Sequence, residues 1–403
     1  MEWVNIFLLV LVAFWSIIYY AYNVKKEYFN RKGIEVSPLT IVWRIGKVEE
    51  ERLKPGSKAK TLLRGLFTIS IVVCLILLAY ALKIYFENVI GVFKAIARGS
   101  DISSGIETPV VPIIPGVTIS FNDLPYLLIA LGVAIIVHEV SHAIAAIVDD
   151  VPIKSWGIAL FIVIPAAFVE PVEEEFSKRE LMSKARVYSA GPSANALLAV
   201  IVLGILVISI PLMFNLGLGL RVLDVVEDSP AARAGLNSSM TIVAVNGKSI
   251  GENTPLHEIL LSPNSLFKVL LEELSKIRNV EGNVTLTVEV YDENVSRTLN
   301  VTVHKYAYET RIGVIVYPVI DLEPKHEILA IIKPYYLKLM LWLFIVNLGL
   351  ALINATPIII TDGGRLVTDI LEKVMGSKGK TFSILIQLAL ILILVINIVA
   401  STI

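Results

Sequence analysis

The chain has 403 residues, 55% hydrophobic and only 18% charged, a balance that excludes a set of ordinary soluble domains. Thirty-five Lys and Arg against 36 Asp and Glu leave a net charge of -1, which excludes a nucleic-acid binder relying on bulk positive charge. A single cysteine, Cys74, excludes an intrachain disulfide, a Cys-based zinc finger and a CxxC redox pair, so any metal site must draw on His, Asp or Glu.

A membrane-crossing helix needs about 20 predominantly apolar residues. Six stretches qualify: Trp3–Tyr22, Leu66–Phe86, Leu124–Val148, Val187–Phe214, Tyr335–Ile360 and Phe382–Ser401. The expected fold class is therefore a polytopic α-helical membrane protein of about six transmembrane helices. The first stretch has no basic residues before its apolar run and no small-x-small cleavage site, so a retained span is expected rather than a signal peptide. The loop behind it, from Lys25 to Arg64, is rich in Lys and Arg, including Lys47, Arg52 and Lys54. Such loops are cytoplasmic, which sets Asp149–Arg186 and Thr361–Lys380 inside and Glu87–Asp123 and Asn215–Pro334 outside, with both termini outside.

The third span reads LLIALGVAIIVHEVSHAIAAIV, and His138, Glu139 and His142 are the only ionisable groups in that run. Ionisable groups at membrane depth are costly and mark function. Positions i and i+4 share a helix face, so His138 and His142 can aim at one ion while Glu139 reaches a water beside it. This is the HExxH arrangement of zinc hydrolases. A short apolar stretch follows, Trp156–Val169, interrupted by Pro165. It is expected to be a re-entrant, extended segment buried within protein, because unpaired backbone is not tolerated against lipid.

The fourth span opens on SAGPSAN, Ser189–Asn195. The segment from Asn215 to Lys325 has soluble character, with period-two runs at Asn283–Tyr291 and Ser296–Val303 around a turn at Asp292–Asn294. Sequons at Asn237, Asn283, Asn294 and Asn300 suit an extracytoplasmic location. The fifth span ends in NATPIIITDGG, where Pro357 breaks the helix and Gly363 and Gly364 permit unusual dihedrals just after Asp362, the best third metal ligand. Hydrolytic zinc takes three protein ligands plus water. The expected organisation is 1–122, two helices and a basic cytoplasmic loop; 123–214, the first half of a catalytic core; 215–330, an inserted extracytoplasmic domain; and 331–403, the second half of the core.

HEVSH on one span, SAGPSAN opening the next, an extracytoplasmic insert, and then NATPIIITDGG resemble the site-2 protease family of intramembrane zinc metalloproteases. Asn354, Pro357, Asp362 and Gly363 match that family's second signature position for position. The resemblance implies one Zn²⁺ per chain held by His138, His142 and Asp362, Glu139 as general base, and substrates that are single-span membrane proteins in a lipid bilayer. Pro165–Pro171 (PAAFVEP) looks like the family's extended segment, to whose sheet a substrate can add as a strand. Asn354 and Asn195 are candidates for positioning substrate or the oxyanion, against a role in interhelical hydrogen bonding. Glu170 and Glu173–Glu175 read as solvated loop charges.

Leu220–Ile250, with SPAARAGL and VNGKSI, resembles an α+β PDZ-like domain and places the chain with the PDZ-containing branch; Gly217–Leu220 (GLGL) is the expected carboxylate-capturing loop. A size filter is the expected role of this domain, because a filter needs only bulk whereas a receptor needs a groove. The competing class is a membrane zinc transporter or sensor using the same ligands. It would require further polar residues along a path through the bundle and has no use for Glu139. The cell membrane is the expected location in a prokaryote or archaeon.

Overall fold

The structure, a computed structural model, describes residues 2–46, 56–162, 164–238, 240–252, 254–255, 258–259, 262–277, 280–292, 295–309 and 311–402. Lys47, Arg52, Lys54 and the Asn294 sequon with its turn lie outside the described residues. Two compact units are present, 1–203 with 336–403, and 204–335.

The first unit opens with α1 (Glu2–Val24), α2 (Lys26–Arg31), β1 (Ile34–Ser37) and β2 (Thr40–Gly46). Helix α3 (Ser57–Ala97) and helix α4 (Leu124–Val148) follow, then the hairpin β3 (Ile153–Phe161) and β4 (Ile164–Pro171), α5 (Glu173–Ser177) and α6 (Leu181–Met213). After the second unit the chain returns through α9 (Glu327–Ala355), α10 (Asp362–Met375) and α11 (Ser377–Thr402). Five helices are long and apolar enough to cross a membrane: α3, α4 with its preceding 3₁₀ turn, α6, α9 and α11. The expected sixth span is helical as α1, but its described apolar run, Leu9–Val24, is shorter than a crossing helix, so the count of six is not reached among the described residues.

Helices in an apolar medium have no hydrophobic drive between them, so buried polar side chains act as pins. The Ser70 and Ser189 hydroxyls meet at 2.7 Å, joining α3 to α6. Asn88 Nδ2 donates to Asn397 Oδ1 at 2.9 Å, joining α3 to α11. The only glutamine of the chain, Gln387, donates to Ser383 Oγ at 2.7 Å and Thr368 Oγ1 at 3.0 Å, joining α11 to α10. Helix α4 ends on Asp149, an acidic residue where the helix dipole disfavours one. Arg186 (Nε 2.7 Å, Nη2 2.9 Å) and Arg64 (Nε 3.0 Å) offset that charge, tying the last turn of α4 to α6 and α3.

The extended segment expected at Trp156–Val169 forms the β3–β4 hairpin, and the basic loop contributes two further strands to it. The sheet order is β1-β2-β3-β4, antiparallel throughout, so β4 is an edge. Trp15 Nε1 donates to Ile162 O at 3.0 Å, anchoring the hairpin turn to α1.

The second unit holds β5 (Phe214–Val225), α7 (Pro230–Arg233), β6 (Met240–Val245), β7 (Lys248–Ser249), α8 (Phe267–Lys276), β8 (Gly282–Asp292), β9 (Val295–Lys305) and β10 (Val314–Pro324). Its sheet runs β10-β5-β6-β8-β9, with β7 on β6. Leu220, Ile242, Val245, Ile259, Leu266, Leu286 and Val288 are buried at its centre. Ser229 caps α7 by accepting from Ala232 N at 3.2 Å, and Pro230 occupies a first-turn position that needs no donor. Asn246 and Gly247 both take positive φ, 50° and 81°, the turn that suits the twist of a tight hairpin. Gly217–Leu220, expected to be a loop, lies inside β5, paired with β10 on one side, with Leu220 also paired to β6 on the other. Its backbone is extended strand rather than a free loop.

Candidate metal centre

His138 and His142 lie one turn apart on α4, with ring centroids 4.7 Å apart. Asp362 is the first residue of α10. The helical run of α9 stops at Ala355 ahead of Pro357, and a compact turn follows. Thr361 Oγ1 accepts from Gly364 N at 3.1 Å, capping the new helix. A Cβ on Gly363 would stand 2.1 Å from Ala355 O, and one on Gly364 1.8 Å from Ile358 O, so the two glycines are what allow this turn to close. The turn brings the Asp362 carboxylate to the histidines: Oδ2 is 3.1 Å from His138 Nε2 and 3.2 Å from His142 Nε2, and the two Nε2 atoms are 3.0 Å apart.

The other face of each imidazole identifies what this cluster wants. His138 Nδ1 is 2.7 Å from Asn195 Oδ1, and His142 Nδ1 is 2.7 Å from the Val187 carbonyl. Both partners accept only, since Asn195 Nδ2 is already donating to Ala134 O and Asn347 Oδ1, each at 3.0 Å. The Nδ1 atoms therefore each carry a proton, which leaves Nε2 of each ring as the atom turned toward Asp362 and available to ligate. Nε2 of both rings and a carboxylate oxygen converge on one point, a set of three ligand atoms that a cation can occupy. Tetrahedral zinc with bonds of about 2.0–2.1 Å would separate its ligand atoms by about 3.3 Å, within a few tenths of the spacing found. The donor set of two imidazoles and one carboxylate fits a zinc ion. Among the described residues, these three are the group of His, Cys, Asp and Glu able to hold one.

Glu139 lies beside the cluster in a cavity of about 280 Å³ lined also by Phe168, Val169, Tyr188, Asn354 and Arg365. Its Oε2 accepts from Val169 N of the edge strand at 3.0 Å, which aims the carboxylate at the space in front of the ligands. Asn354 lines this cavity and gives its Nδ2 to Leu350 O at 3.1 Å. Asn195, expected as a possible substrate contact, is completely buried with its amide committed behind His138. The structure thus places Asn195 behind the candidate ligand His138, where its oxygen accepts from Nδ1.

Gly191 was not singled out from the sequence. A Cβ there would lie 2.5 Å from His142 Nε2 and 2.6 Å from His138 Nε2, so α6 can pass this close to the rings only with hydrogen at that position. The Gly-Pro pair in SAGPSAN carried the signal, but its reason is tertiary. Asn347, which receives Asn195, is a second residue visible only in the fold.

The model of Peptidase family M50 matches residues 126–396, which take in α4, α6, α9 and α10. The chain belongs to peptidase family M50, the site-2 protease family. The uncharacterized protein MJ0971 of Methanocaldococcus jannaschii is 28% identical over 280 residues, covering 68% of this chain and 62% of that relative. The chain thus spans somewhat less than two thirds of the length of this relative.

Proposed function

We propose that this M50 chain is an intramembrane zinc endopeptidase that hydrolyses a peptide bond in or near a transmembrane helix of a partner membrane protein, in regulated intramembrane proteolysis. The observation that carries the reading is the convergence of His138 Nε2, His142 Nε2 and Asp362 Oδ2 within 3.2 Å of one another, beside the Glu139 carboxylate that the edge strand holds. His138, His142 and Asp362 hold one zinc ion. Bound there, zinc supplies a Lewis acid that polarises the scissile carbonyl and makes water a better nucleophile at neutral pH. Glu139 takes the proton of the attacking water and returns it to the leaving amine. Asn354 holds the substrate backbone or the developing oxyanion, and Asn195 and the Val187 carbonyl keep both imidazoles in the ligating tautomer.

A helical substrate hides its carbonyls in its own hydrogen bonds, so cleavage requires unwinding, and the open edge of β4 is suited to hold an unwound segment by strand addition. The basic loops face the cytoplasm and the inserted unit faces outward, which sets the metal centre toward the inner side. A transporter or sensor reading is not favoured, since it gives Glu139 and the edge strand no task.

We infer that the inserted unit is PDZ-like and acts as a receptor as well as a filter. What supports this is a groove of about 680 Å³ between α8 and β10, a sheet edge, lined by Leu270, Leu274, Val314 and Val316. Lys305 lines it too, almost wholly buried, with Nζ donating to the Val280 and Tyr306 carbonyls at 3.3 Å. An extended peptide ending in a carboxylate suits that combination.

Cleavage of a tagged single-span substrate by purified protein in detergent tests the catalytic reading, comparing wild type with Glu139→Gln while zinc is assayed in both. Product from wild type alone, with zinc retained in both, is expected. Equal cleavage by both proteins would remove Glu139 from catalysis, and zinc without cleavage in either would favour a sensor or transporter.

A further inference from the structure

The hairpin register divides the side chains of the four-stranded sheet between two faces. Trp43, Ile158 and Ala167 are in register on one face, as are Ile41, Leu160 and Pro165. Arg44, Gly157 and Phe168 share the other. The β4 residues of the first face also turn their backbone groups toward the open edge. Pro165 has no N–H to give a partner strand, and Val169 gives its own to Glu139 outside the sheet. A strand added there would continue the same alternation, so its side chains would enter the two faces in turn.

The two faces meet mainly different surroundings, with Ala159 and Ala166 of the second face bordering the first cavity and Val169 and Pro171 of the first face bordering the second. Trp43, Ile158, Leu160 and Ala167 line an apolar cavity of about 320 Å³ closed by Ile135 and Ile136 of α4, one turn before the metal ligands. Arg44, Phe168 and Glu170 line a larger cavity of about 860 Å³, whose other wall carries Arg365, Asp369 and Lys380. Three of its charges are already met: Glu170 by Lys154 at 2.7 Å, Asp369 by Lys184 at 3.4 Å, and Arg44 by Glu35. Arg365 and Lys380 have no acidic partner among the described residues, against one unmatched acid on the wall, Glu173. Arg365 is the charged residue that lines both this cavity and the one holding His138, Glu139 and His142, alongside Phe168, Val169, Pro171, Phe176 and Tyr188. It sits three residues after Asp362, on the same side of α10.

We propose that the β4 edge reads an extended substrate with a period of two: side chains facing the Ile135–Ile158 cavity are apolar, and the alternate side chains are polar, with an acidic one preferred beside Arg365. This rests on the peptidase reading above and specifies the substrate class for that same site. An acidic residue at an apolar-facing position would be buried without a partner, whereas at the next position it meets a free guanidinium.

The test is a scan of a cleavable single-span substrate in which one Asp, then one Lys, is moved through successive positions around the cut, with kcat/KM measured for the full-length zinc-loaded enzyme. Asp is expected to lower kcat/KM roughly 10-fold or more at every second position and to be tolerated between them. At the position beside Arg365, Asp is expected to exceed Lys about 3- to 5-fold, the worth of a partly exposed ion pair. Arg365→Glu is expected to invert that last preference, and rescue by the Lys substrate shows that the variant has folded. A flat profile, a period near 3.6, or a preference unchanged in Arg365→Glu would overturn the inference while cleavage itself upheld the peptidase reading. Absence of cleavage of every substrate by wild type would overturn both.

Discussion

Replacing Gly191 by alanine separates the metal centre from the fold around it. The added Cβ would lie 2.5 Å from His142 Nε2 and 2.6 Å from His138 Nε2 and Cε1, nearly an ångström inside the ordinary contact distance of 3.4 Å. Neither ring can simply step aside, because each is held at Nδ1 by a 2.7 Å hydrogen bond to Asn195 or Val187. Ligand positions must be held to about 0.2 Å for a metal site to keep its affinity. The expected loss is therefore about 100-fold or more in zinc affinity, at the upper end of the effect of disturbing a ligand's support. The helix responds in the opposite sense, since alanine is favoured over glycine by about 1 kcal/mol in a helix interior. Gly204 on the same helix has nothing within 4 Å of its Cβ position and serves as the control. Gly204→Ala should keep zinc and gain thermal stability, whereas Gly191→Ala should lose zinc in a chelator competition without a comparable fall in apo-protein melting temperature. Wild-type zinc affinity in Gly191→Ala would refute the claim that α6 is pressed against the ligands.

Three further outcomes are expected. Asn195→Ala leaves His138 Nδ1 without its acceptor and strands Asn347, so zinc affinity should fall about 10- to 100-fold, read by the same chelator competition; an unchanged affinity would remove Asn195 from the ligand support. Arg186→Ala leaves the Asp149 carboxylate, only 2% exposed, with Arg64 as its remaining cation. Such a break should cost about 3 kcal/mol in stability, and a melting temperature within error of wild type would show that the α4–α6 clamp carries no load. In the inserted unit, Lys276, Asn246 and Lys248 hold the Glu273 carboxyl down to about 2. Its contribution is then complete above the ordinary carboxylate range near 4.5 and is lost as pH falls toward 2. Chemical denaturation of wild type and Glu273→Gln across pH 2–6 should show the difference between them shrinking with acid, and a constant difference would contradict the assignment.

Much of the metal site was legible because its parts are local. HEVSH fixes two imidazoles on one helical face by spacing alone, and TDGG after Pro357 announces a break that can turn a carboxylate inward. What the motif could not say was which atoms support it. Asn195 and Asn354 look alike in sequence, each a lone amide near a membrane segment, yet one is sealed behind His138 and the other lines the open cavity. The difference depends on how α6 and α9 pack. The strands β1 and β2 were hidden for a related reason: Ile34–Gly46 reads as part of a basic loop, and only the pairing of Thr40–Gly46 with Trp156–Phe161 in register makes it sheet. GLGL was misread as a loop because glycine permits turns but does not require them, and β10 arrives from nearly a hundred residues away to pair with it.

The sequence by itself determined the long apolar helices and the candidate ligand types and their order, since apolar length, helical spacing and helix breaks act over a few residues and need no partner. Only the tertiary structure decided the Nδ1 partners of the imidazoles, the need for hydrogen at Gly191, and the position of β4 at a sheet edge. Each of those is set by an atom from a distant segment coming within hydrogen-bonding or contact distance, and no local pattern encodes which segment that will be.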